Sequence, residues 1–450
     1  MRNLFGTDGV RGKANTAPMT ADMALKLGQA AAMVFRKRYP KERITAIIGK
    51  DTRRSGYLFE YALTSGLCSM GVDVYLVGPM PTPAIAHLTK SFACDFGIVI
   101  SASHNPAEDN GIKFFDKKGF KLPDEVEEEI ERLTGSDIDT SNITGMEVGR
   151  AKRIDDAAGR YIEFTKNSIK NMSLEGLKVV LDCANGAAYK VAPLIIRELG
   201  AEVIILNNNP DGSNINLECG STYPEVISSA VLGHKADIGI ALDGDADRVI
   251  VVDEKGNLVD GDHIIAMCAL DMQRRGKLNN DTVVTTVMAN MGFDTAMKKA
   301  NIDVVKTKVG DRYVIEEMRD NNFMLGGEQS GHIIFFSRST TGDGTLSALQ
   351  VLALMKTSGK RMSELAKCMT SYPQVLKNII VKEKQPLEKM LPVQEAIHNA
   401  ERQLGEDGRV LVRYSGTEKK CRVMLEGRDE KEIESLADNI IEKIRYEIGE

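Results

Sequence analysis

The sequence predicts an α/β protein built from three similar units, followed by a smaller α+β domain. Three observations predict it. β-Branched runs alternate with Gly-punctuated helical segments. One order of strand, polar loop, helix, strand and strand recurs three times along the chain. Each recurrence ends in a short polar loop directly after an apolar strand. Alternation of this kind points to largely parallel sheets covered by helices, so the sheets are expected to be mixed or parallel.

The first unit has a strand at residues 45–49, the loop KDTRRSG, and a helical segment ending at Met70-Gly71. The strand VDVYLVG follows, and then DFGIVIS opens into SASHNP. The second begins LKVVLD, turns through CANGAAY, and has a helical segment ending at Leu199-Gly200. Its later strands are AEVIIL and ADIGIAL, the last running into DGDADR. The third begins DTVVTTVM, turns through ANMG, continues to IDVVKTKV, and ends with NFMLGG before EQSGH. Beyond residue 369 come the strand NIIVKE, a charged helical stretch, the strands RVLVRYSG and RVMLEG, and an amphipathic terminal helix. The expected domains are therefore 1–152, 153–255, 256–368 and 369–450. The acidic segment 123-PDEVEEEIERL-133 reads as a solvated helix face. In open α/β sheets, ligands sit beyond the carboxyl ends of strands, which is where the three polar loops fall.

Composition narrows the function. The 450 residues are 42% hydrophobic and 27% charged, with net charge −6. A negative surplus disfavours nucleic acid as the main partner. The seven cysteines include no C-x-x-C pair, which excludes a disulfide framework and suits thiols in a reducing cytosol. The start, MRNLFGTDGVRG, has no apolar signal core, and no run approaches the roughly 18 apolar residues of a membrane helix. The expectation is a soluble cytoplasmic protein without a membrane partner.

In DGDADR, Asp243, Asp245 and Asp247 stand two apart after an apolar strand. Carboxylates this close repel unless a cation neutralises them, and a hard divalent ion is the natural partner. A calcium loop counted from Asp243 would place Glu254 at the twelfth position, but Arg248 at the sixth where Gly is required. A magnesium-type site is the better reading, with Arg248 placed to hold a phosphate. SASHNP suits a plain turn, since Ser, Asn and Pro favour turns. No G-x-S-x-G elbow is present. A serine carrying a phosphoryl group would make sense of a metal-bearing acidic loop, because phosphoryl transfer depends on positioning and neutralised charge. The loop 326-GGEQSGH-332 offers groups able to bind sugar hydroxyls. The loop 413-RYSGTEKKCR-422 sets hydroxyls and arginines around a Gly turn, as a phosphate site does.

Taken together and in this order, the four loops resemble those of the α-D-phosphohexomutases. The resemblance spans the whole chain and implies three similar α/β domains and a C-terminal α+β domain around a central cleft. It implies that Ser103 is a phosphoserine whose phosphorylation is required for activity. One Mg²⁺ per active site would be held by that phosphate with Asp243, Asp245 and Asp247. Glu328 and Ser330 would grip sugar hydroxyls, with His332 nearby. Arg413, Ser415, Gly416, Thr417 and Arg422 would hold the non-reacting phosphate. Arg11 and Lys113 match basic positions near the reacting phosphate, and His104 and Lys113 are candidates for moving protons.

The stretches FGTDGVRGKAN and SASHNPAEDNGIKFF, with Gln329 in GEQSGH, resemble the members that act on an amino sugar. The implied reaction is reversible conversion of glucosamine 6-phosphate to glucosamine 1-phosphate through a sugar bisphosphate, feeding UDP-N-acetylglucosamine synthesis. Gln329 would face the C2 amino group. The expected partners are a phosphosugar and a bisphosphate activator, and the expected assembly is a monomer or homodimer. A mutase of glucose or mannose phosphates, a non-catalytic sugar-phosphate binder and a metal-dependent phosphatase are the alternatives. Two departures from the family pattern stand out: Lys419 where Pro is usual, and Ala246 where Gly is common.

Overall fold

The computed structural model describes residues 4–6, 8–415 and 419–449. The chain forms two compact units, Met1–Met288 with Asn301–Cys368, and Ala289–Ala300 with Met369–Glu450.

The first unit holds three sheets with a shared plan. In each, a central strand lies between two parallel neighbours. The third of these strands then turns back into an antiparallel fourth. In the first sheet the centre is Ile44–Lys50, flanked by Val72–Pro79 and Phe96–Ile100, with Asp109–Asp116 antiparallel beyond. Val10–Lys13 and Ala151–Arg153 extend its two edges. In the second the centre is Lys178–Asp182, between Glu202–Leu206 and Ile238–Leu242, with Val249–Asp253 antiparallel. In the third it is Thr282–Thr286, between Asp303–Thr307 and Leu325–Gly327, with Ile333–Phe335 antiparallel. SASHNP, DGDADR and EQSGH therefore occupy one position three times, the turn between the third and fourth strands.

The buried strands read as near-continuous apolar runs. Phe96–Ile100 and Ile238–Leu242 are buried at every residue, as expected of strands covered on both faces. Helices close the layers. Ala21–Arg38 starts where Thr20 accepts from the Met23 N–H, and it packs Phe35 flat on Phe96 with ring centroids 4.1 Å apart.

Two sequence expectations change here. The second sheet continues past residue 255, because Val249–Asp253 turns through Gly256 into the edge strand Leu258–Val259. The acidic segment is the helix Asp124–Thr134, but it is not simply a solvated face. Val126 and Ile130 are buried, and so is Glu127, whose carboxylate accepts two bonds from Arg312 at 2.8 and 2.9 Å.

In the second unit Gln374–Ile380, Lys420–Glu426 and Arg409–Tyr414 form an antiparallel sheet with Lys420–Glu426 central. The helices Leu391–Leu404 and Glu430–Ile448 cover it, burying Val393, Ile433, Ile440 and Ile444. The helix Met291–Lys299 also belongs to this unit, and its Met291 N–H donates to the buried Glu426.

Candidate active site

The strand Phe96–Ile100 delivers Ser103 into a buried turn. Ser103 is 1% exposed and has φ +52°, a left-handed conformation that L residues adopt only when the surroundings compel it. Its neighbours do so. The Ser103 N–H donates to Ser101 Oγ at 3.0 Å, and Ser101 Oγ donates to Asp51 at 2.6 Å. Arg53, wholly buried, donates through Nη2 to the carbonyls of Ser103 and Asn105 at 2.9 and 2.8 Å. Its Nη1 reaches the carbonyls of Pro106 and Asp109, and its Nε bonds Asp51 at 2.7 Å. Asn216, from the second α/β segment, donates to the same Ser103 and Asn105 carbonyls at 2.9 and 3.1 Å.

So held, the Ser103 hydroxyl donates to Asp243 Oδ2 at 2.6 Å. Gly244 makes the approach possible, since a Cβ there would lie 2.6 Å from the Ser103 carbonyl oxygen. Asp243, Asp245 and Asp247 are all buried and present ligand oxygens within 4.8 Å of one another. Asp245 Oδ1 and Asp247 Oδ1 are buried with no hydrogen-bond partner among the described residues. Clustered carboxylate oxygens, two of them unmet, fit a hard divalent cation. Burial and mutual repulsion push Asp243 well above the ordinary carboxylate range, and Asp247 is raised by burial and by Asp245. Burial acts on Asp245 as well, but Lys113 and Thr82 outweigh it and hold that carboxyl low. Ala246 turns between the acids at φ +57°, a left-handed position that explains the usual glycine there.

Cations ring the centre. Lys113, on the strand Asp109–Asp116, is buried and bonds Asp245 at 2.9 Å and Asp8 at 3.0 Å. Burial opposes its charge, but Asp245, Asp8 and Asp247 raise its pKa, so Lys113 stays a cation. Arg11 pairs with Asp8. Arg248 lies 3.8 Å from Asp247 through Nε, and its N–H donates to Asp243 at 3.1 Å. His104 Nδ1 stands 3.4 Å from Ser103 Oγ. Burial, then Arg248 and Arg11, lower His104 to about 4.

The third loop adjoins this centre. His332 Nε2 lies 3.9 Å from Asp247 and 3.3 Å from Asp311, and residues 248 and 332 form a β-bridge. Gly342 leaves room for the imidazole, because a Cβ there would meet the ring at 2.5 Å. Glu328 accepts from the Gly310 N–H at 3.1 Å, and the Ser330 hydroxyl donates to Glu328 at 3.3 Å. Gln329 donates through Nε2 to Asp260 at 3.3 Å, and Asp260 also bonds His263 at 2.7 Å.

In the second unit, Arg413 and Arg422 face each other across adjacent strands. Burial and Arg422 together lower the pKa of Arg413. Guanidinium groups side by side can fork onto the oxygens of one phosphate. Ser415 is buried and its carbonyl accepts from Lys384 at 2.6 Å. Gly416 and Thr417 lie outside the described residues.

Sequence reasoning missed Asp8, Asp51, Arg53, Thr82, Lys121, Asn216 and Asp311. KDTRRSG carried a signal for two of them, since it is a charged loop at the end of a buried strand, and it supplies Asp51 and Arg53.

Three equivalent strand-end loops, with one hydroxyl, three carboxylates and their surrounding cations buried at a common point, define an enzyme built for phosphoryl transfer on the phosphohexomutase fold. Family comparison places the chain. Models of the phosphoglucomutase/phosphomannomutase α/β/α domains I, II and III match residues 2–140, 159–256 and 260–372, and the C-terminal domain matches 376–443. The chain belongs to this family and is a mutase by class.

A phosphoglucosamine mutase of Pelobacter propionicus is 60% identical over the full length of both chains. A solved phosphoglucomutase/phosphomannomutase family protein of Burkholderia thailandensis superposes with TM-score 0.80 at 22% identity, covering 98% of this chain and 97% of its own. The N-acetylphosphoglucosamine mutase of Aspergillus fumigatus, solved in complex with GlcNAc-6P and magnesium, gives TM-score 0.69 at 20% identity, covering 98% and 95%. Among the described residues, no helix is long and apolar enough to cross a membrane.

Proposed function

We propose that the chain interconverts glucosamine 6-phosphate and glucosamine 1-phosphate through phospho-Ser103 and a sugar bisphosphate. One observation carries the chemistry: the buried Ser103 hydroxyl bonds Asp243 at 2.6 Å within a centre lined by Lys113, Arg11 and Arg248. Full-length relatives such as the phosphoglucosamine mutase of Pelobacter propionicus support the amino sugar.

The O–P bond at Ser103 breaks as a new O–P bond forms to the free sugar hydroxyl. After the bisphosphate reverses, its other phosphoryl group returns to Ser103. Asp243, Asp245 and Asp247, with a phosphoserine oxygen, would hold Mg²⁺, which would supply charge neutralisation for the transferring group. Lys113 and Arg11 stabilise negative charge and, as held cations, do not take the proton. His104 Nδ1 takes the proton of the attacking sugar hydroxyl and gives it back to the sugar oxygen released when the other phosphoryl group returns to Ser103. Burial and then Arg248 and Arg11 depress its pKa, and the cations' share is offset once a phosphoryl group of about −2 charge lies against them. Burial of Ser103 shields the phosphoserine from water.

Glu328 and Ser330 bind sugar hydroxyls, with His332 beside the reacting phosphate. Asp260 orients the Gln329 amide, which presents its oxygen to the C2 ammonium. Arg413, Ser415 and Arg422, with Gly416 and Thr417, hold the phosphate that is not reacting. The chain acts as a monomer or homodimer in the cytoplasm.

Turnover of glucosamine 6-phosphate, glucose 1-phosphate and mannose 1-phosphate, with Mg²⁺ and trace bisphosphate activator, tests the reading. A clear preference for the amino sugar is expected. Equal or better turnover of the neutral sugars would make the chain a general hexose mutase. Steady release of inorganic phosphate without isomer would make it a phosphatase.

A further inference from the structure

We infer that three consecutive residues, Gly310, Asp311 and Arg312, form a clasp that sets the sugar-binding loop against the phosphoryl-transfer centre, with Asp311 as its positioning residue. The inference rests on the mutase reading for its kinetic arm.

Gly310 reaches the sugar loop, Arg312 reaches the first α/β segment, and Asp311 lies against both. The Gly310 N–H donates to Glu328 at 3.1 Å, fixing the carboxylate of the sugar loop. Asp311 lies 3.3 Å from His332 Nε2 at the far end of that loop and pairs with Lys121. Lys121 in turn pairs with Asp8, the carboxylate shared by Lys113 and Arg11. Arg312 reaches the first α/β segment through both oxygens of Glu127 and through Asp124.

The sugar loop is thus hydrogen-bonded at Glu328, and approached at His332, by the start of the helix Asp311–Asn321. That start is tied to the segment carrying Ser103 and Lys113. The Arg312 guanidinium is held at two nitrogens, Nη2 by both oxygens of Glu127 and Nη1 by Asp124, and the Glu127 contact is desolvated, with Arg312 7% and Glu127 2% exposed. Such geometry holds a distance and an angle together, as a flexible surface pair does not. A sugar must meet the phosphoryl group at bonding distance, and small misplacements cost rate steeply. The arrangement assigns the holding of that distance to residues that do not touch Ser103.

The test compares the parent with Asp311→Asn, Lys121→Met and the double variant. Three quantities are measured: kcat and KM for glucosamine 6-phosphate, the thermal midpoint, and hydrogen exchange of the amides at 327–332. The clasp predicts that Asp311→Asn lowers kcat/KM by roughly 100-fold. Loop exchange rises, the midpoint barely moves, and the double variant is no worse than the weaker single one. Unchanged kinetics with unchanged loop exchange would overturn the proposal. So would faster exchange spread over the whole chain with a collapsed midpoint in both single variants, since the role would then be general stability. If the parent turns over no amino sugar yet loop exchange still rises in Asp311→Asn, the clasp stands and the substrate assignment falls.

Discussion

Ser103 and Asp243 are 140 residues apart in the chain and meet at 2.6 Å, hydroxyl to carboxylate, with neither side chain open to solvent. Burial and the flanking aspartates raise Asp243, and a hydrogen bond from Ser103 partly offsets them. Removing either partner removes something the other needs. Ser103→Ala should lower turnover by about a thousandfold or more, since it deletes the atom proposed to carry the phosphoryl group. Asp243→Asn should fold but need far higher Mg²⁺ for half-maximal rate. A Mg²⁺ titration of initial rates checks both. Parent-like Mg²⁺ dependence in Asp243→Asn would separate that carboxylate from the metal.

Arg53 spends its donors on the backbone of the serine turn and on Asp51. Lysine keeps the charge but cannot reach several carbonyls in one plane. Arg53→Lys should cost roughly 1–3 kcal/mol, because Asn216 still meets the Ser103 and Asn105 carbonyls and the loss falls on Asp51 and the Asp109 carbonyl. Activity should fall further than stability explains, because the left-handed Ser103 would relax. Thermal unfolding and kcat on the same preparation decide it. A variant with parent-like kcat would show that the turn holds without its clamp.

Asp343 caps the helix Gly344–Ser358 and accepts from Tyr161 at 2.9 Å. Burial pushes its carboxyl up to about 6, against hydrogen bonds that favour the charged form. The folded value lies above the unfolded value of about 3.9, so between the two the native state binds more protons. The associated stability is full below pH 4, is lost as pH rises through about 6, and totals on the order of 3 kcal/mol. Asp343→Asn keeps a capping side chain without the charge. Its thermal midpoint, measured in chelator, should gain on the parent between pH 5 and pH 8. A gap that stays constant with pH would refute the assignment.

The facing Arg413 and Arg422 give the second unit its own prediction. If they hold the non-reacting phosphate, Arg413→Ala should raise KM roughly 10- to 100-fold, from the loss of about 1.5–3 kcal/mol of charge-assisted bonding. The kcat should change much less. A variant that loses kcat at unchanged KM would place Arg413 in the chemical step instead.

The repeated unit was legible because its signals are local: β-branched runs, Gly punctuation, and a polar loop after each third strand. Ser103 and the three aspartates were legible for the same reason, each being a strand-end residue in a compact motif. The antiparallel fourth strands were harder, since Ile333–Phe335 is too short to show a pattern. Glu127 was misread because a charged position on an acidic helix looks solvated until its partner is known. That partner, Arg312, stands 185 residues away. Arg53 and Asn216 bind backbone carbonyls, and such contacts leave no mark on the sequence at the carbonyl's end. Asp8, Lys121 and Asp311 form ion pairs across segments, which spacing along one segment does not reveal.

The most direct test follows the phosphoryl group itself. Enzyme labelled with ³²P on Ser103 is mixed with one equivalent of glucosamine 6-phosphate and quenched over a single turnover. The account predicts that label leaves the protein for a sugar bisphosphate and then divides between sugar monophosphate and Ser103, as fast as steady-state turnover. Label that stays on the protein while glucosamine 1-phosphate forms, or that leaves only as inorganic phosphate, would contradict it.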